Sequence, residues 1–84
     1  MHEKLFLQRN RFQYLPDSIG ALKELIVLDV TGNQLSNLPT SIEQLTKLEK
    51  LFLQRNRFQY LPDSIGALKE LIVLNLTEIG RAHV

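Results

Sequence analysis

The 84-residue chain contains no cysteine and no tryptophan, and its longest apolar runs, residues 25–28 and 71–74, are four residues long. Without cysteine it has neither a disulfide framework nor a thiolate that acts as metal ligand or nucleophile. Without a long apolar run it has no segment of signal-peptide or membrane-spanning length, which favours a cytoplasmic location and no membrane contact. Short apolar segments must therefore build the core.

Neither positive nor negative charge is in excess, since the chain has ten Lys and Arg and nine Asp and Glu. No run of like charges marks a nucleic-acid groove, so we expect no nucleic-acid partner. The two histidines, His2 and His83, lie at opposite ends of the chain without metal-ligand spacing. The chain lacks a nucleophile elbow, an HExxH motif and a Gly-rich phosphate loop, so we expect no catalytic residue, no metal and no cofactor.

What the sequence does contain is an internal repeat. Residues 3–28 recur unchanged as residues 49–74, an offset of 46 positions. The leucines, asparagine and proline of the intervening segment follow those of the first segment by 23 residues, which makes 23 the true period. The shared pattern is LxxLxLxxNxLxxLPxxIxxLxx, and it divides the chain into a first unit, a middle unit, a third unit and a partial fourth at residues 2–24, 25–47, 48–70 and 71–77.

Each part of this pattern predicts a local structure. The LxL segments at residues 5–7, 28–30, 51–53 and 74–76 alternate with period two, which predicts four parallel strands with one buried face. The proline fixes φ and turns the chain, and the apolar residues that follow at a three-residue spacing predict one or two helical or 3-10 turns. Each unit is therefore a strand followed by a short helical return.

One asparagine follows each of the first three predicted strands. These residues are Asn10, Asn33 and Asn56. A short amide side chain on an inward turn can bond backbone groups that would otherwise be buried without partners. We expect them to form a structural ladder from unit to unit.

These features resemble the leucine-rich repeat family, specifically the 23-residue LPxxIxxLxxL type of many bacterial and intracellular eukaryotic scaffold proteins. The resemblance covers residues 2–77. It implies an α/β fold, a right-handed solenoid that forms a short horseshoe arc with parallel strands on its concave face and short helical or 3-10 turns on its convex face. It also implies a scaffold that binds another protein through the concave face.

The residues between and beside the strand leucines should face outward across the concave sheet. The predicted partner-binding residues are Lys4, Phe6, Gln8, Arg9, Val27, Asp29, Thr31, Lys50, Phe52, Gln54 and Arg55. Phe6 and Phe52 are the best anchor candidates, because aromatic side chains are enriched among binding hot spots. The alternative is that phenylalanine, a good strand former, was inherited with the duplicated unit without a contact role.

The last seven residues, 78–84, do not keep the repeat phase. They resemble the translation of an adaptor that is commonly ligated to DNA fragments for sequencing, and the alternative is a divergent native C-terminus. We therefore divide the chain into a repeat domain at residues 1–77 and a non-native tail at 78–84. The chain would then be a fragment of a longer repeat array.

Neither end carries the polar capping repeat that a solenoid needs. At the N-terminal end the residues that should lack a covering unit are Leu5, Leu7, Phe12, Leu15 and Ile19. At the C-terminal end an unpaired strand edge is expected at Val73, Leu74, Asn75 and Leu76. We expect the open ends to associate, giving a two-fold homodimer joined through the C-terminal ends.

Three functional hypotheses follow. In the first, the chain is an interaction scaffold whose concave face binds a protein. In the second, it is a fragment without independent function that self-associates through its uncapped ends. In the third, it is the recognition arm of a larger enzyme.

Overall fold

The computed structural model describes residues 3–60 and 62–75 of the chain. Short strands alternate with 3-10 helices along this part of the chain. The strands are β1 (Glu3–Phe6), β2 (Leu25–Asp29), β3 (Lys50–Phe52) and β4 (Val73–Asn75). The 3-10 helices span Asp17–Ala21, Thr40–Gln44 and Asp63–Ala67. Leu76 and the predicted tail at residues 78–84 lie outside the described residues.

The four strands form one parallel sheet in chain order, β1-β2-β3-β4. Equivalent residues of successive units are register partners, so that Leu5 lies opposite Leu28 and Leu28 opposite Leu51. The prediction of a parallel-stranded solenoid with short 3-10 turns is confirmed. The strands begin before the LxL segments, and β2 begins three residues early at Leu25, because backbone pairing includes the residues that lead into each segment.

Each 3-10 helix begins directly after a proline with extended backbone geometry. The fixed φ of proline sends the chain into a tight turn, and its carbonyl oxygen can accept the N–H of the residue three positions later. The proline–isoleucine pairs joined in this way at 3.0 to 3.1 Å are Pro16–Ile19, Pro39–Ile42 and Pro62–Ile65. The LPxxI part of the pattern therefore specifies the turn and the 3-10 helix that lead the chain from one strand back to the next.

The core lies between the sheet and the 3-10 helices and is centred on the middle and third units. Its fully buried side chains include Leu28, Leu35, Ile42, Leu45, Leu48, Leu51 and Leu53. Asn33 is the buried polar residue of the described chain. Because each unit supplies only a thin apolar layer, most of the burial comes from stacking one unit on the next.

Identical sequences differ in burial according to their place in the stack. Phe12 is 37% exposed, whereas Phe58, which has the same neighbours in sequence, is 3% exposed. Leu5 is likewise half-buried, whereas Leu51 is fully buried. The third unit has the middle unit packed against it, and the first has no described unit in front. The expectation of an uncovered N-terminal end is confirmed for Leu5, Leu7 and Phe12.

The same expectation is wrong for Leu15 and Ile19, which are buried. The first 3-10 helix packs directly against the second, so the following unit covers this part of the first unit. The approach is so close that a Cβ added to Gly20 would lie 2.7 Å from the carbonyl oxygen of Ser41. Among the described residues, the first unit is therefore partly exposed at Leu5, Leu7 and Phe12 and covered at Leu15 and Ile19.

Candidate protein-binding surface

Rows of equivalent positions cross the concave face, each with one residue from successive units. The first two rows follow from the strand register, and the next two from backbone hydrogen bonds that continue the pairing beyond the strand ends. Neighbours within a row are about 4.8 Å apart. The rows are Lys4–Val27–Lys50–Val73, Phe6–Asp29–Phe52–Asn75, Gln8–Thr31–Gln54 and Arg9–Gly32–Arg55, and we refer to them as the lysine, phenylalanine, glutamine and arginine rows.

In the lysine row, Lys4 and Lys50 are exposed on either side of Val27. Val27 is buried but does not belong to the core cluster, which lies on the other side of the sheet. The apolar stems of flanking lysines can cover such a residue while their ammonium groups stay in water. Val27 therefore offers little surface to a partner, and positive charge dominates this row.

In the phenylalanine row, Phe6 is 56% exposed and Phe52 is partly exposed. Phe52 has a described strand on both sides, which accounts for its smaller exposure. Asp29 lies between the two rings in register. Its Oδ1 accepts the N–H of Thr31 at 3.0 Å, which fixes the orientation of the carboxylate. Two aromatic side chains thus lie on the sheet with one oriented carboxylate between them.

The glutamine row is partly engaged in internal bonds. The hydroxyl group of Thr31 donates to Oε1 of Gln54 at 3.2 Å. Gln8, which occupies the same position in the first unit, is exposed. The side chains of this row can form hydrogen bonds with a partner, but some of their donors and acceptors already bond to each other.

The arginine row has an unusual backbone. Arg9 and Arg55 have φ values of 58° and 61°, and Gly32, the equivalent residue of the middle unit, has a φ of 75°. The repeat therefore requires left-handed backbone at this position, which glycine adopts without steric penalty and arginine does not. Both arginine side chains are exposed. The row presents two cations on either side of a position that has no side chain.

The asparagines lie behind the concave face and join successive units. The Nδ2 of Asn33 donates to the carbonyl oxygens of Leu7 and Val30, both at 2.9 Å, and its Oδ1 accepts the N–H of Phe12 at 3.2 Å. Asn56 makes the equivalent bonds to the middle unit, with Nδ2 2.8 Å from the carbonyl oxygen of Val30. Each of these side chains satisfies backbone groups of two units at once.

Asn10 occupies the same position in the first unit but bonds only within that unit among the described residues. Its Nδ2 donates to the carbonyl oxygens of Leu7 at 2.9 Å and Gln8 at 3.3 Å. Asn10 is exposed, whereas Asn33 is buried. The stacking of units therefore decides how much an asparagine of this ladder stabilises the fold.

Sequence reasoning missed one pair of exposed aromatic residues. Tyr14 and Tyr60, equivalent residues of the first and third units, are 75% and 64% exposed, and the middle unit has Asn37 at this position. They lie in the loops that lead from the strands to the 3-10 helices. The recurrence of an aromatic residue at a position that the repeat pattern leaves open could have identified them.

β4 is the last strand of the described sheet, and it contains three of the residues for which an unpaired edge was expected, Val73, Leu74 and Asn75. Val73 and Leu74 are half-buried, and Asn75 ends β4. Ile72 is 74% exposed, whereas Ile26, its equivalent in the middle unit, is half-buried because the third unit follows it. No other described strand pairs with the outer edge of β4.

One ion pair joins the first two units away from the concave face. The Lys47 Nζ lies 2.9 Å from Oε1 of Glu24. This hydrogen bond and the positive charge of Lys47 lower the pKa of Glu24. Both side chains are well exposed, so solvent screens the pair and its stabilising effect is small.

Features of other classes of function are absent from the part of the chain that the structure describes. In residues 3–60 and 62–75, no three His, Asp or Glu side chains come together in a way that could hold a metal ion. No helix in the same part of the chain has the length and apolar character needed to cross a membrane.

The stacked strands, the asparagine ladder and the proline-initiated turns recur at one period through the structure. A family model described as a leucine-rich repeat region matches residues 4–84, a span that includes the predicted tail. The chain belongs to the leucine-rich repeat family.

Similar leucine-rich repeat chains are found in bacteria and plants. A solved structure of the Leptospira interrogans leucine-rich repeat protein LIC12759 superposes with a TM-score of 0.82 at 42% identity, over 86% of this chain and 18% of that chain. The structure of the BIR3–SERK2 complex from Arabidopsis thaliana superposes with a TM-score of 0.69 at 32% identity, over 84% of this chain and 40% of that chain.

A curated relative, the disease resistance-like protein DSC1 of Arabidopsis thaliana, is 44% identical over 45 residues, which are 54% of this chain and 4% of the relative. The chain thus spans less than half the length of each of these matched chains. Leucine-rich repeats generally serve as interaction scaffolds rather than catalysts, and the comparisons support a protein-interaction role for this chain in that general sense.

Proposed function

We propose that this chain binds a protein partner through its concave face, with Phe6 and Phe52 as anchors and Arg9 and Arg55 as charged contacts beside them. The observation that carries the proposal is the exposure of Phe6, 56% of whose surface is free on the face of the sheet opposite the core. The partner-binding set predicted from the sequence lies in the four rows of this face.

Exposed phenylalanine on a rigid sheet favours binding for two physical reasons. Burial of a fully exposed phenylalanine side chain against a partner stabilises a complex by roughly 1.5 to 3 kcal/mol. The strands hold the two rings at a fixed spacing, so little side-chain and backbone freedom is lost on binding. Phe6 and Phe52 lie on β1 and β3, two strand spacings apart, which places them about 10 Å from each other.

A neighbour in fold supports a protein rather than a small molecule as the partner. One of the similar structures is itself a complex of two proteins, BIR3 and SERK2. This chain covers 40% of the matched chain in that complex, so the likeness supports the class of partner and not its identity.

The proposal can be tested by selecting binders from a displayed library of random peptides. The chain is the bait, and a Phe6→Ser, Phe52→Ser double variant is kept out of the selection and tested afterwards against the selected peptides. A Tyr14→Ser, Tyr60→Ser double variant is the matched control, because it also removes two exposed aromatic rings from the first and third units. Circular dichroism on each variant establishes that it is folded.

We expect the selected peptides to bind the parent chain and the tyrosine variant with similar affinity and to bind the phenylalanine variant at least roughly tenfold more weakly, which corresponds to about 1.4 kcal/mol. Equal binding to a folded phenylalanine variant would show that the concave anchors are not the site.

A second candidate function is self-association through the ends, and the exposure of Ile72 favours it. An exposed isoleucine beside an edge of β4 with which no other described strand pairs is a candidate site for pairing with another chain. A two-fold homodimer joined through Val73, Leu74 and Asn75, and through Leu76 outside the described residues, would cover this edge. The third hypothesis, a recognition arm of a larger enzyme, stays a prediction.

Light scattering coupled to size exclusion over a wide concentration range tests self-association. We expect a folded dimer at low concentration and its loss in an Ile72→Lys variant. A Tyr60→Lys variant, which adds the same charge at an exposed position away from the ends, should leave the mass unchanged. A folded monomer at every concentration contradicts the dimer and leaves the concave face as the functional surface.

A further inference from the structure

Positive charge collects on the concave face and on the residues that directly follow its strands. Asp29 is the acid that the described structure places within these rows, and its carboxylate already accepts the N–H of Thr31. Two further acids lie beside the lysine row, Glu3 at the start of β1 and Glu49 directly before β3, and both are half-buried. The ion pair of the described residues, Lys47 with Glu24, lies elsewhere. The exposed cations of this region are Lys4, Arg9, Arg11, Lys50, Arg55 and Arg57. The face therefore attracts anionic groups although the whole chain is nearly neutral.

Backbone geometry distinguishes two of these cations from ordinary surface residues. Arg9 and Arg55 occupy left-handed backbone, where an L side chain is disfavoured. The middle unit has Gly32 at the same position and continues the same sheet. The fold thus accepts glycine here, and the arginines lower its stability. A residue that opposes stability at an exposed position points to a contact role.

The arginine row also has a defined spacing. Arg9 and Arg55 are separated by two strand spacings, about 10 Å. Gly32 adds no side chain between them, and the nearest atoms to a Cβ at this position would be the backbone and side-chain stem of Arg9, in van der Waals contact at 3.5 to 3.6 Å. A polyproline II segment, with three residues per turn and a rise of about 3.1 Å, presents side chains at positions i and i+3 on one side about 9.3 Å apart.

We infer that the partner presents an acidic segment to the concave face, with two carboxylates about 10 Å apart that bind Arg9 and Arg55 on either side of Gly32. This inference rests on the concave-face function proposed above. The guanidinium groups donate paired N–H bonds to the carboxylates, and Phe6 and Phe52 contact the apolar part of the same segment.

The peptides selected by the parent chain provide the first test. We expect an excess of acidic residues among them, with pairs at positions i and i+3 more frequent than in the unselected library. Peptides that depend on Phe6 and Phe52 but show no excess of acids would overturn the inference while leaving the concave-face function intact. Failure to select any peptide that depends on these two residues counts against both.

The second test uses the chain with two matched charge changes. An Arg9→Gly, Arg55→Gly variant removes both guanidinium groups and copies the middle unit, whereas a Lys23→Gln, Lys69→Gln variant removes the same charge from exposed convex positions of the same two units. Fluorescence anisotropy measures the binding of a selected acidic peptide and of its Glu→Gln counterpart at low and high salt, and thermal melting measures stability.

We expect the arginine variant to bind the acidic peptide roughly a hundredfold more weakly, about tenfold for each charged contact, while its melting temperature is unchanged or higher. The lysine variant should bind like the parent chain, and the Glu→Gln peptide should bind weakly to all three. Equal binding of the two peptides, or of the parent chain and the arginine variant, overturns the inference. So does equal or tighter binding of a single-stranded oligonucleotide, which would show non-specific attraction for polyanions.

Discussion

The two glycines of the duplicated segment offer a controlled measurement of how much one unit depends on the next. Gly20 and Gly66 have the same neighbours in sequence and the same position in a five-residue 3-10 helix. A Cβ at Gly20 would lie 2.7 Å from the carbonyl oxygen of Ser41 and 2.8 Å from its Cβ, whereas no described atom lies within 4 Å of a Cβ at Gly66. Substitution of each by alanine therefore tests packing with the local sequence held constant.

The size of the difference follows from these distances. Both substitutions reduce the conformational entropy of the unfolded chain equally, which stabilises the fold by roughly 0.4 to 1 kcal/mol where the new side chain fits. Gly66→Ala should show this gain. Gly20→Ala forces the first 3-10 helix away from the backbone of Ser41, and overpacking of this kind costs about 1 to 3 kcal/mol. The free energies of unfolding of the two variants should differ by about 1 to 3 kcal/mol.

Urea denaturation followed by circular dichroism measures both free energies, and thermal melting gives an independent value. For a domain of this size, 1 kcal/mol corresponds to a shift in melting temperature of roughly 4 to 8 °C. We expect Gly20→Ala to melt lower than the parent chain and Gly66→Ala to melt at the same temperature or higher. Equal shifts for the two variants would refute the reasoning, because they would show that contact between the first and second 3-10 helices does not limit the space at Gly20.

Three further predictions use the same logic. Phe58→Ala should destabilise the fold by about 3 to 5 kcal/mol in urea denaturation, and Phe12→Ala by clearly less, because Phe12 is 37% exposed and Phe58 only 3%; equal losses would contradict this. Asn33→Ala should cost roughly 1 to 3 kcal/mol, since it leaves buried backbone groups of two units without partners; a neutral result would contradict the ladder's structural role. Lys47→Gln should raise the pKa of Glu24 toward its ordinary value in an NMR titration, because the hydrogen bond from Lys47 lowers it; an unchanged pKa would contradict the ion pair. The lowered pKa of Glu24 means that the stabilising effect of this pair is complete above the unfolded-state pKa and is lost as pH falls through the folded-state pKa.

The repeat period made the architecture predictable from the sequence. Alternating apolar and polar residues mark each strand, and a proline marks each turn. Both features recur every 23 residues, so the register of the sheet followed once the period was found. The concave rows followed for the same reason. Period and alternation decide which side of a strand a residue occupies, and they are properties of the local sequence.

The burial of a side chain depends on the neighbouring units, so it cannot be predicted from the sequence of one unit alone. Leu15 and Ile19 were expected to be uncovered because no unit precedes them, but the following unit buries them. Val27 was expected to be a contact residue, yet it is buried between its row neighbours. Strand ends also differed, because backbone pairing extends beyond the leucines that mark each strand.

Comparison of the middle unit with the first and third units shows which outward residues the fold does not require. It has Val27, Asp29, Thr31 and Gly32 where the first and third units have lysine, phenylalanine, glutamine and arginine, and all three units form the same sheet. The core therefore does not dictate these outward residues. Duplication of the segment accounts for their recurrence, but it does not account for the choice of an arginine where the backbone favours glycine. If that choice reflects binding, replacement of both arginines by glycine must separate stability from affinity, and a variant that loses both together would identify the arginines as structural instead.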